Sequence, residues 1–536
     1  MALDILIRGG TVIDGTGGDR FRADVAISDG RIEAIGPLEG AVAARTIDAT
    51  GHVVTPGFID MHSHSDVTLL DDPGGESKVH QGVTIEVTGN CSYTPYPSGV
   101  AGPKGLQEGM GTTMSSVVEW DWETLDEWAA RVDDNGVSIN IAPQLGQGAL
   151  RVAAGAVQAR PATEDQMRAM KRLAAEAMEQ GAFSMSTALN LSPSSYAPTE
   201  EVIELCRTVA QYDNAFYVTH ARTGAGRFVS MIEEAVAIGH GAEIPVQFSH
   251  ISITDSRSFG IGPEMVGVIE CARAGGLDIT YDVYPYTAAG IDLNQLIPLW
   301  TQEGGTEAFM ARLADPDLHG RALQEMRDGV DGKLPSEWGK IVIAFSGSEA
   351  NQDKVGRSVE DISESTGVEP AELVLRLIEE ERDIIGAVIH NRIESDIRFF
   401  LGQSTAMYGS DGNAISPTGS YGKTQPHPRF YGTYPRILGR YVREQPAVLT
   451  LEDAIHKMSG FPAQRLGLRE RGLLKKGLIA DLVVLDPETV IDNATFDDPH
   501  QYPGGIPHVL VAGEPVVLNG KHTGARPGRV LRRGAA

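Results

Sequence analysis

A closed (β/α)8 barrel of the α/β class, with a small β-sandwich built from the two chain ends and an insertion near the barrel mouth, is the fold this sequence predicts. Three observations carry the prediction. Both termini are rich in short β-prone runs, strands and helices alternate between them about every 30 residues, and polar residues with ligand chemistry stand at several predicted strand ends.

The N-terminal segment, residues 1–57, reads as strands at Asp4–Arg8, Thr11–Asp14, Ala23–Ser28 and Arg31–Ile35, with Asp29-Gly30 a two-residue hairpin turn. The C-terminal segment, residues 466–536, repeats the style at Ala480–Leu485, His508–Ala512 and Pro515–Leu518, with turns at Gly513 and Asn519-Gly520. Each segment is too small to bury a core alone, and pairing the two into one sandwich solves that for both. Residues 58–465 are the barrel. Its rhythm is clearest from Phe183–Leu189 through a helix near Thr199, Ala215–His220, a helix near Phe228, Ile244–His250, a further helix and Leu277–Asp282. An earlier helix, Thr163 to Gln180, opens on the capping pair Thr163/Gln166, ends before Gly181 and places Met167, Met170, Leu173, Ala174 and Ala177 on one face. The rhythm breaks at about 290–340, which reads as an insertion capping the barrel mouth.

Composition narrows the partners. Hydrophobic residues make up 41% of the 536 and charged residues 22%, as in an ordinary globular chain, while 62 Gly and 29 Pro suit many turns. A formal charge of −27 argues against nucleic acid and against an anionic membrane. No apolar run approaches spanning length, and the N-terminal stretch from Met1 lacks a basic region followed by an apolar core. A cytoplasmic location is the expectation. Three scattered cysteines do not make a disulfide framework, and the helical patterns around Cys206 and Cys271 make both small core residues.

The stretch Phe58-Ile-Asp-Met-His-Ser-His-Ser-Asp66 follows a β-prone run and a Pro-Gly turn. Residues i and i+2 of an extended chain face the same side, so His62 and His64 present two imidazoles to one point. Further ligand-type residues close other predicted strands: Cys91 after Val83–Asn90, His220 after Ala215–Thr219, His250 after Val246–Ser249, and Asp411 after Thr405–Ser410. Singly, each has a plain structural reading. A parallel barrel, however, turns all its strand C-termini to one mouth, where three histidines, a thiol and a carboxylate are a competent set of Zn²⁺ ligands.

These pieces resemble the amidohydrolase superfamily, and within it the D-aminoacylase (N-acyl-D-amino-acid deacylase) branch. The resemblance runs through Pro56–Asp66, Thr88-Gly-Asn-Cys91, Leu145–Arg151, Thr219-His-Ala-Arg222, Ser249-His250, Tyr281–Tyr286, Gly409–Gly412, His427-Pro-Arg429 with Gly432–Arg436, and Gly477–Val483. It implies one zinc held tightly by Cys91, His220 and His250. The resemblance further implies a second, weaker metal position at His62 and His64 with Asp411 beside it. It also implies hydrolysis of a linear amide by activated water, Asp411 serving as general base and acid. Arg429, Tyr284 and Ser252 are then the substrate-binding residues, Arg429 gripping a carboxylate bidentately. The sequence shows no strand-end lysine at Phe183–Leu189 to bridge two metals.

The chain departs from that branch in places. Ile251-Ser252 replaces His-Lys, Thr223–Gly226 replaces Ser-Glu-Gly, Gln147 replaces the His of Gly-His-Gly, and Asn190–Tyr196 is altered. Loss of a lysine and a carboxylate at the mouth changes the charge a substrate meets. An uncharged or larger amide, or another acyl bond, fits that mouth as well as an N-acyl amino acid. A cyclic-amide or lactone hydrolase on the same scaffold is the alternative, against which the missing bridging lysine counts, and a non-catalytic assembly protein is the remaining one. The expected partners are a small-molecule amide and, as a compatible assembly, further copies of the chain.

Overall fold

The computed structural model describes residues 3–110, 118–224 and 226–534; Met1 and Ala2 of the N-terminal stretch and Ala225 of the Thr223–Gly226 stretch lie outside the described residues. The two chain ends meet in one nine-stranded sheet. Its order is Lys521–His522, Glu514–Leu518, His508–Val511, Leu482–Leu485, Val53–Pro56, Leu3–Val12, Phe21–Ser28 and Arg31–Gly36, with Ala43–Asp48 also paired to Leu3–Val12. The join is antiparallel, Val53–Pro56 against Leu482–Leu485 with Thr55 opposite Val483. Asp29 and Gly30 turn the hairpin at φ 50° and 72°, the left-handed pair that a tight primed turn requires. Ile5, Ile7, Val25 and Ile27 from one end share a core with Leu482, Val484 and Leu510 from the other.

From Val53–Pro56 the chain passes straight into the barrel. Its strands are β1 (Phe58–Asp60), β2 (Val83–Thr88), β3 (Asn140–Pro143, continued at Leu145–Gly146), β4 (Ser184–Ala188), β5 (Phe216–His220), β6 (Val246–Phe248), β7 (Ile279–Val283) and β8 (Ala406–Tyr408). Consecutive strands pair in parallel from β1 through to β8. The ring closes between β8 and β1 through backbone bonds from Met61 N–H to Tyr408 O (3.2 Å), Asp411 N–H to His62 O (2.7 Å) and His64 N–H to Gly412 O (3.1 Å). Helices such as Glu164–Glu179, Thr199–Val209, Phe228–Ala242 and Gly262–Ala274 follow the strands. The Thr163/Gln166 pair forms a reciprocal capping box at the first of them, satisfying two otherwise orphaned N–H groups. Strands covered on both faces are buried throughout: all six residues of β2 are inaccessible.

One buried charge cluster lies against the closing seam. Lys78 Nζ, fully buried, lies 2.8 Å from Asp60 Oδ2 and 2.9 Å from Glu86 Oε1, and it donates to Gly412 O at 3.1 Å and to Ser410 Oγ. Asp60 Oδ1 in turn accepts the backbone N–H groups of Ser410 (2.8 Å) and His62 (3.2 Å). A buried ion group survives only when paired and hydrogen-bonded on every side, and here the pairing ties the end of β1 to the turn after β8.

Between β7 and β8 the chain leaves the barrel. Ala289–Asp292, Ile385–Ile389 and Ile341–Ser346 form an antiparallel sheet with Ile385–Ile389 in the middle, backed by helices that include Thr306–Ala314, Pro316–Asp328, Val359–Thr366 and Pro370–Glu380. Leu293, Phe309, Ile343, Val374, Leu377 and Ile385 give this unit its own core. The inserted unit thus runs well past the 290–340 stretch where the rhythm visibly breaks, because its later helices and strand mimic βα spacing. Cys206 is buried, whereas Cys271 is exposed on the outer face of Gly262–Ala274, correcting its reading as core; a thiol is compatible with either face of an amphipathic helix. Among the described residues, no helix is long and apolar enough to cross a membrane.

Candidate metal centre and substrate cavity

The six ligand-type residues converge at the strand C-termini. His62 and His64 follow β1, Cys91 follows β2, His220 ends β5, His250 follows β6 and Asp411 follows β8. Cys91 Sγ lies 3.3 Å from His62 Nε2, 3.5 Å from His220 Nδ1 and 3.5 Å from His250 Nε2. His64 Nε2 is 3.0 Å and His62 Nε2 3.6 Å from Asp411 Oδ1. Donor atoms of His62, Cys91 and His250 lie within 4.8 Å of one another, as do those of His62, His64 and Asp411, so two donor groups share His62. Tetrahedral zinc, with bonds of ~2.3 Å to sulfur and ~2.0 Å to nitrogen, separates sulfur from nitrogen by about 3.5 Å. The donors fit a zinc ion in chemistry and the Cys91 distances fit it in spacing, while His220 Nδ1 and His250 Nε2, 2.9 Å apart, stand closer than the about 3.3 Å between two nitrogens on one tetrahedral zinc.

Backbone strain aims these groups inward. Cys91, His250 and Asp411 have φ of 51°, 34° and 49°, a region that side-chain-bearing residues enter only when their surroundings enforce it. The charges respond to the crowding. Burial pushes the Cys91 thiol up, but the imidazoles of His62, His220 and His250 outweigh it and hold the group well below the ordinary thiol range. Burial also works against charge on His62, where Cys91 and Asp282 prevail and raise the imidazole well above its usual value. For Asp411, burial raises and Arg429, the His64 hydrogen bond and His62 lower; the lowering wins by a wide margin.

Sequence reasoning quoted Asp282 only within a motif and gave it no role. Its Oδ1 faces His62 Nδ1 at 3.1 Å and accepts the His250 N–H at 2.8 Å, and its Oδ2 accepts Gln247 Nε2 at 3.1 Å. A carboxylate opposite Nδ1 places the ring proton there and leaves the Nε2 lone pair for the donor cluster. The available signal was a carboxylate in the wholly buried strand β7, which has to be paired.

Above the donors opens a cavity of about 530 Å³, walled by the barrel loops and by the inserted unit. Phe228, Met231, Phe248, Leu296 and Met326 supply apolar wall. The three residues read as substrate-binding all line it. Arg429, at the start of helix Arg429–Arg436, points Nη1 at Asp411 Oδ2 (2.9 Å) and stacks its guanidinium 4.6 Å from the Tyr284 ring centre. A second guanidinium, which sequence reasoning missed, shares that ring. Arg392 lies 4.7 Å from the ring centre and donates to Tyr284 Oη, to Ala288 O (2.8 Å) and to Ser252 Oγ (3.2 Å). The cationic charge that Ile251-Ser252 appeared to remove is therefore returned from another part of the chain.

Comparisons with known proteins agree with this architecture. The amidohydrolase family profile matches residues 45–257 and 416–517. A D-aminoacylase of Alcaligenes xylosoxydans xylosoxydans is 34% identical over 537 residues, 99% of this chain and 98% of the relative. An N-acyl-D-aspartate deacylase of the same organism is 34% identical over 543 residues, covering 99% and 96%. The N-acyl-D-glutamate deacylase of Bordetella bronchiseptica, solved with zinc and a phosphonate mimic of the tetrahedral intermediate, superimposes with a TM-score of 0.83 at 30% identity over 99% of this chain and 100% of that one. With agreement running from end to end, the chain belongs to the amidohydrolase family, in its D-aminoacylase branch.

Proposed function

We propose that the protein is a zinc-dependent deacylase that hydrolyses the linear amide of an N-acyl-D-amino acid. The observation that carries the reading is the convergence of Cys91, His220, His250, His62, His64 and Asp411 on the floor of a cavity whose wall also presents guanidinium groups. Cys91, His220 and His250 would hold zinc, with a weaker second position at His62, His64 and Asp411, and the metal when bound would supply the Lewis acidity that brings the pKa of water from ~16 to about 7. Asp411, kept ionised by Arg429, starts as the general base. It takes the proton of the attacking water and passes it to the departing amine. Asp282 and the Lys78 cluster hold His62, His250 and the Asp411 turn in place. The acid end of the substrate enters the part of the cavity lined by Ser252, Tyr284 and Arg429, and the acyl chain meets the apolar wall. Three free cysteines accord with a reducing, cytoplasmic setting.

The test is a substrate panel on the purified enzyme: N-acetyl-D- and N-acetyl-L-amino acids, hydantoins and lactones, each with and without chelator. Chelator-sensitive release of acetate from D-amino acid derivatives is expected. Faster turnover of hydantoins or lactones, or activity indifferent to metal removal, refutes the reading.

A further inference from the structure

We propose that Arg392, carried by the inserted unit, is the residue that recognises the substrate carboxylate and so sets the preference for an acid over a neutral amide; this rests on the deacylase reading above. The two guanidinium groups at Tyr284 differ in what they already hold. Arg429 already faces a carboxylate, its Nη1 2.9 Å from Asp411 Oδ2. Its Nε and Nη1, like Arg392 Nε, are buried without a hydrogen bond among the described residues, so the difference between the two lies in the ion pair. Arg392 lines the same cavity, yet among the described residues it forms no ion pair; its partners Tyr284 Oη, Ala288 O and Ser252 Oγ are all neutral. Its Nε is buried and makes no hydrogen bond among the described residues. A half-buried cation satisfied only by neutral oxygens, with a donor left over, is matched by an anionic ligand that can take a planar fork. The carboxylate is the one ionised group of an N-acyl amino acid carrying a neutral side chain.

Placement supports the assignment. Arg392 sits directly after Ile385–Ile389, the central strand of the inserted sheet, and its N–H donates to Thr287 O at 3.2 Å. It spans from the insertion to the loops after β6 (Ser252) and β7 (Tyr284, Ala288). The small Ser252 leaves room for that reach. The barrel thus supplies the hydrolytic chemistry, and the insertion supplies the charge that selects what is hydrolysed.

The experiment measures kcat/KM on the zinc-loaded enzyme for the N-acetyl-D-amino acid turned over best in the panel and for its carboxamide. A charge-assisted contact gives an acid-over-amide ratio of about 100 in the parent enzyme. Arg392→Gln, whose amide still donates toward Ser252 or Tyr284, collapses the ratio to within a few-fold of one, with the change in KM. Arg392→Lys, which keeps charge without the fork, lowers it about tenfold and provides the reading should the glutamine variant not fold. Adding Ser252→Lys to Arg392→Gln restores part of the preference. Melting temperature and zinc content are followed in every variant. An unchanged ratio, or kcat falling equally for acid and carboxamide, overturns the assignment while leaving the deacylase reading intact. A parent enzyme that hydrolyses no member of the N-acetyl series removes both.

Discussion

Replacing Asp282 probes how much of the metal affinity comes from a residue that touches no metal. Its Oδ1 supports two ligand-bearing groups, the His62 ring at 3.1 Å and the His250 N–H at 2.8 Å. In Asp282→Asn the oxygen can keep both, and Gln247 can turn its amide to meet the new NH2 if Thr280 Oγ1, which already accepts Arg465 Nη2 at 2.8 Å, accepts from Gln247 instead of donating to it. What disappears is the charge. Hydrogen bonds to charged groups contribute about 1.5–3 kcal/mol and neutral ones about 0.5–1.5, so two bonds lose about 2 kcal/mol together. At 1.4 kcal/mol per tenfold, zinc should bind about 30-fold more weakly. Asp282→Ala orphans all three donors. At about 1–3 kcal/mol each it destabilises the fold by 3 kcal/mol or more, and zinc affinity falls about 100-fold. Competition titration of the zinc-free protein against a chromophoric chelator gives the affinities, and melting of the zinc-free form gives the stability. Zinc held as tightly by both variants as by the parent would refute the orienting role. So would a stability loss in the alanine variant with unaltered affinity.

Asp411→Asn should retain zinc at Cys91, His220 and His250 while kcat drops about 10³-fold; undiminished kcat at full zinc content removes Asp411 from proton transfer. Gly409→Ala places a Cβ 2.5 Å from His62 Cβ and 2.9 Å from its backbone N. That variant should lose about 1–3 kcal/mol of stability and hold less zinc per chain, read by melting and metal analysis. His427 is buried between Tyr284, Tyr286 and Phe496, accepts the Arg429 N–H and faces Ala288 O. Burial and Arg429 hold its imidazole well below the ordinary histidine range. The folded state thus keeps it neutral where the unfolded chain takes up a proton. Its contribution to stability is complete above about pH 6.5 and is lost as pH falls, by up to about 1.4 kcal/mol per pH unit. His427→Gln should flatten the stability profile between pH 7.5 and 5.5 relative to the parent, measured by urea unfolding at matched zinc; parallel profiles would exclude the effect.

Local patterning carried much of this fold. The Asp29-Gly30 hairpin, the Thr163/Gln166 cap and the strands ending at His220 and His250 are each written in a few adjacent residues. So was the grouping of the ligands, since strand-end position alone assigns His62, Cys91, His220, His250 and Asp411 to one mouth. His62 and His64 converge although β1 stops at Asp60, because Ser63 pairs with Gly412 and prolongs the extended geometry. What could not be read is what depends on partners distant in sequence. Arg392 lies 140 residues from Ser252 and 108 from Tyr284, and nothing around it repeats or alternates in a way that marks a site. Lys78 looks like any helix-borne lysine until Asp60 and Glu86 are placed beside it. The extent of the inserted unit was obscured because Val359–Thr366, Pro370–Glu380 and Ile385–Ile389 follow the same strand–helix grammar as the barrel.

The ring of strands is sealed by its last member, and the inserted unit of about a hundred residues must be synthesised before that member emerges. During synthesis, five of the six donors are available long before Asp411, so a nascent chain can capture a metal ion before it has a proton carrier. Until Ala406–Tyr408 arrives, the edges of β1 and β7 stay unpaired, which is the condition under which strands recruit one another between molecules. A chain cut short anywhere in the insertion would therefore be both inert and sticky. Closure of the ring and the arrival of Asp411 both wait for the same short strand.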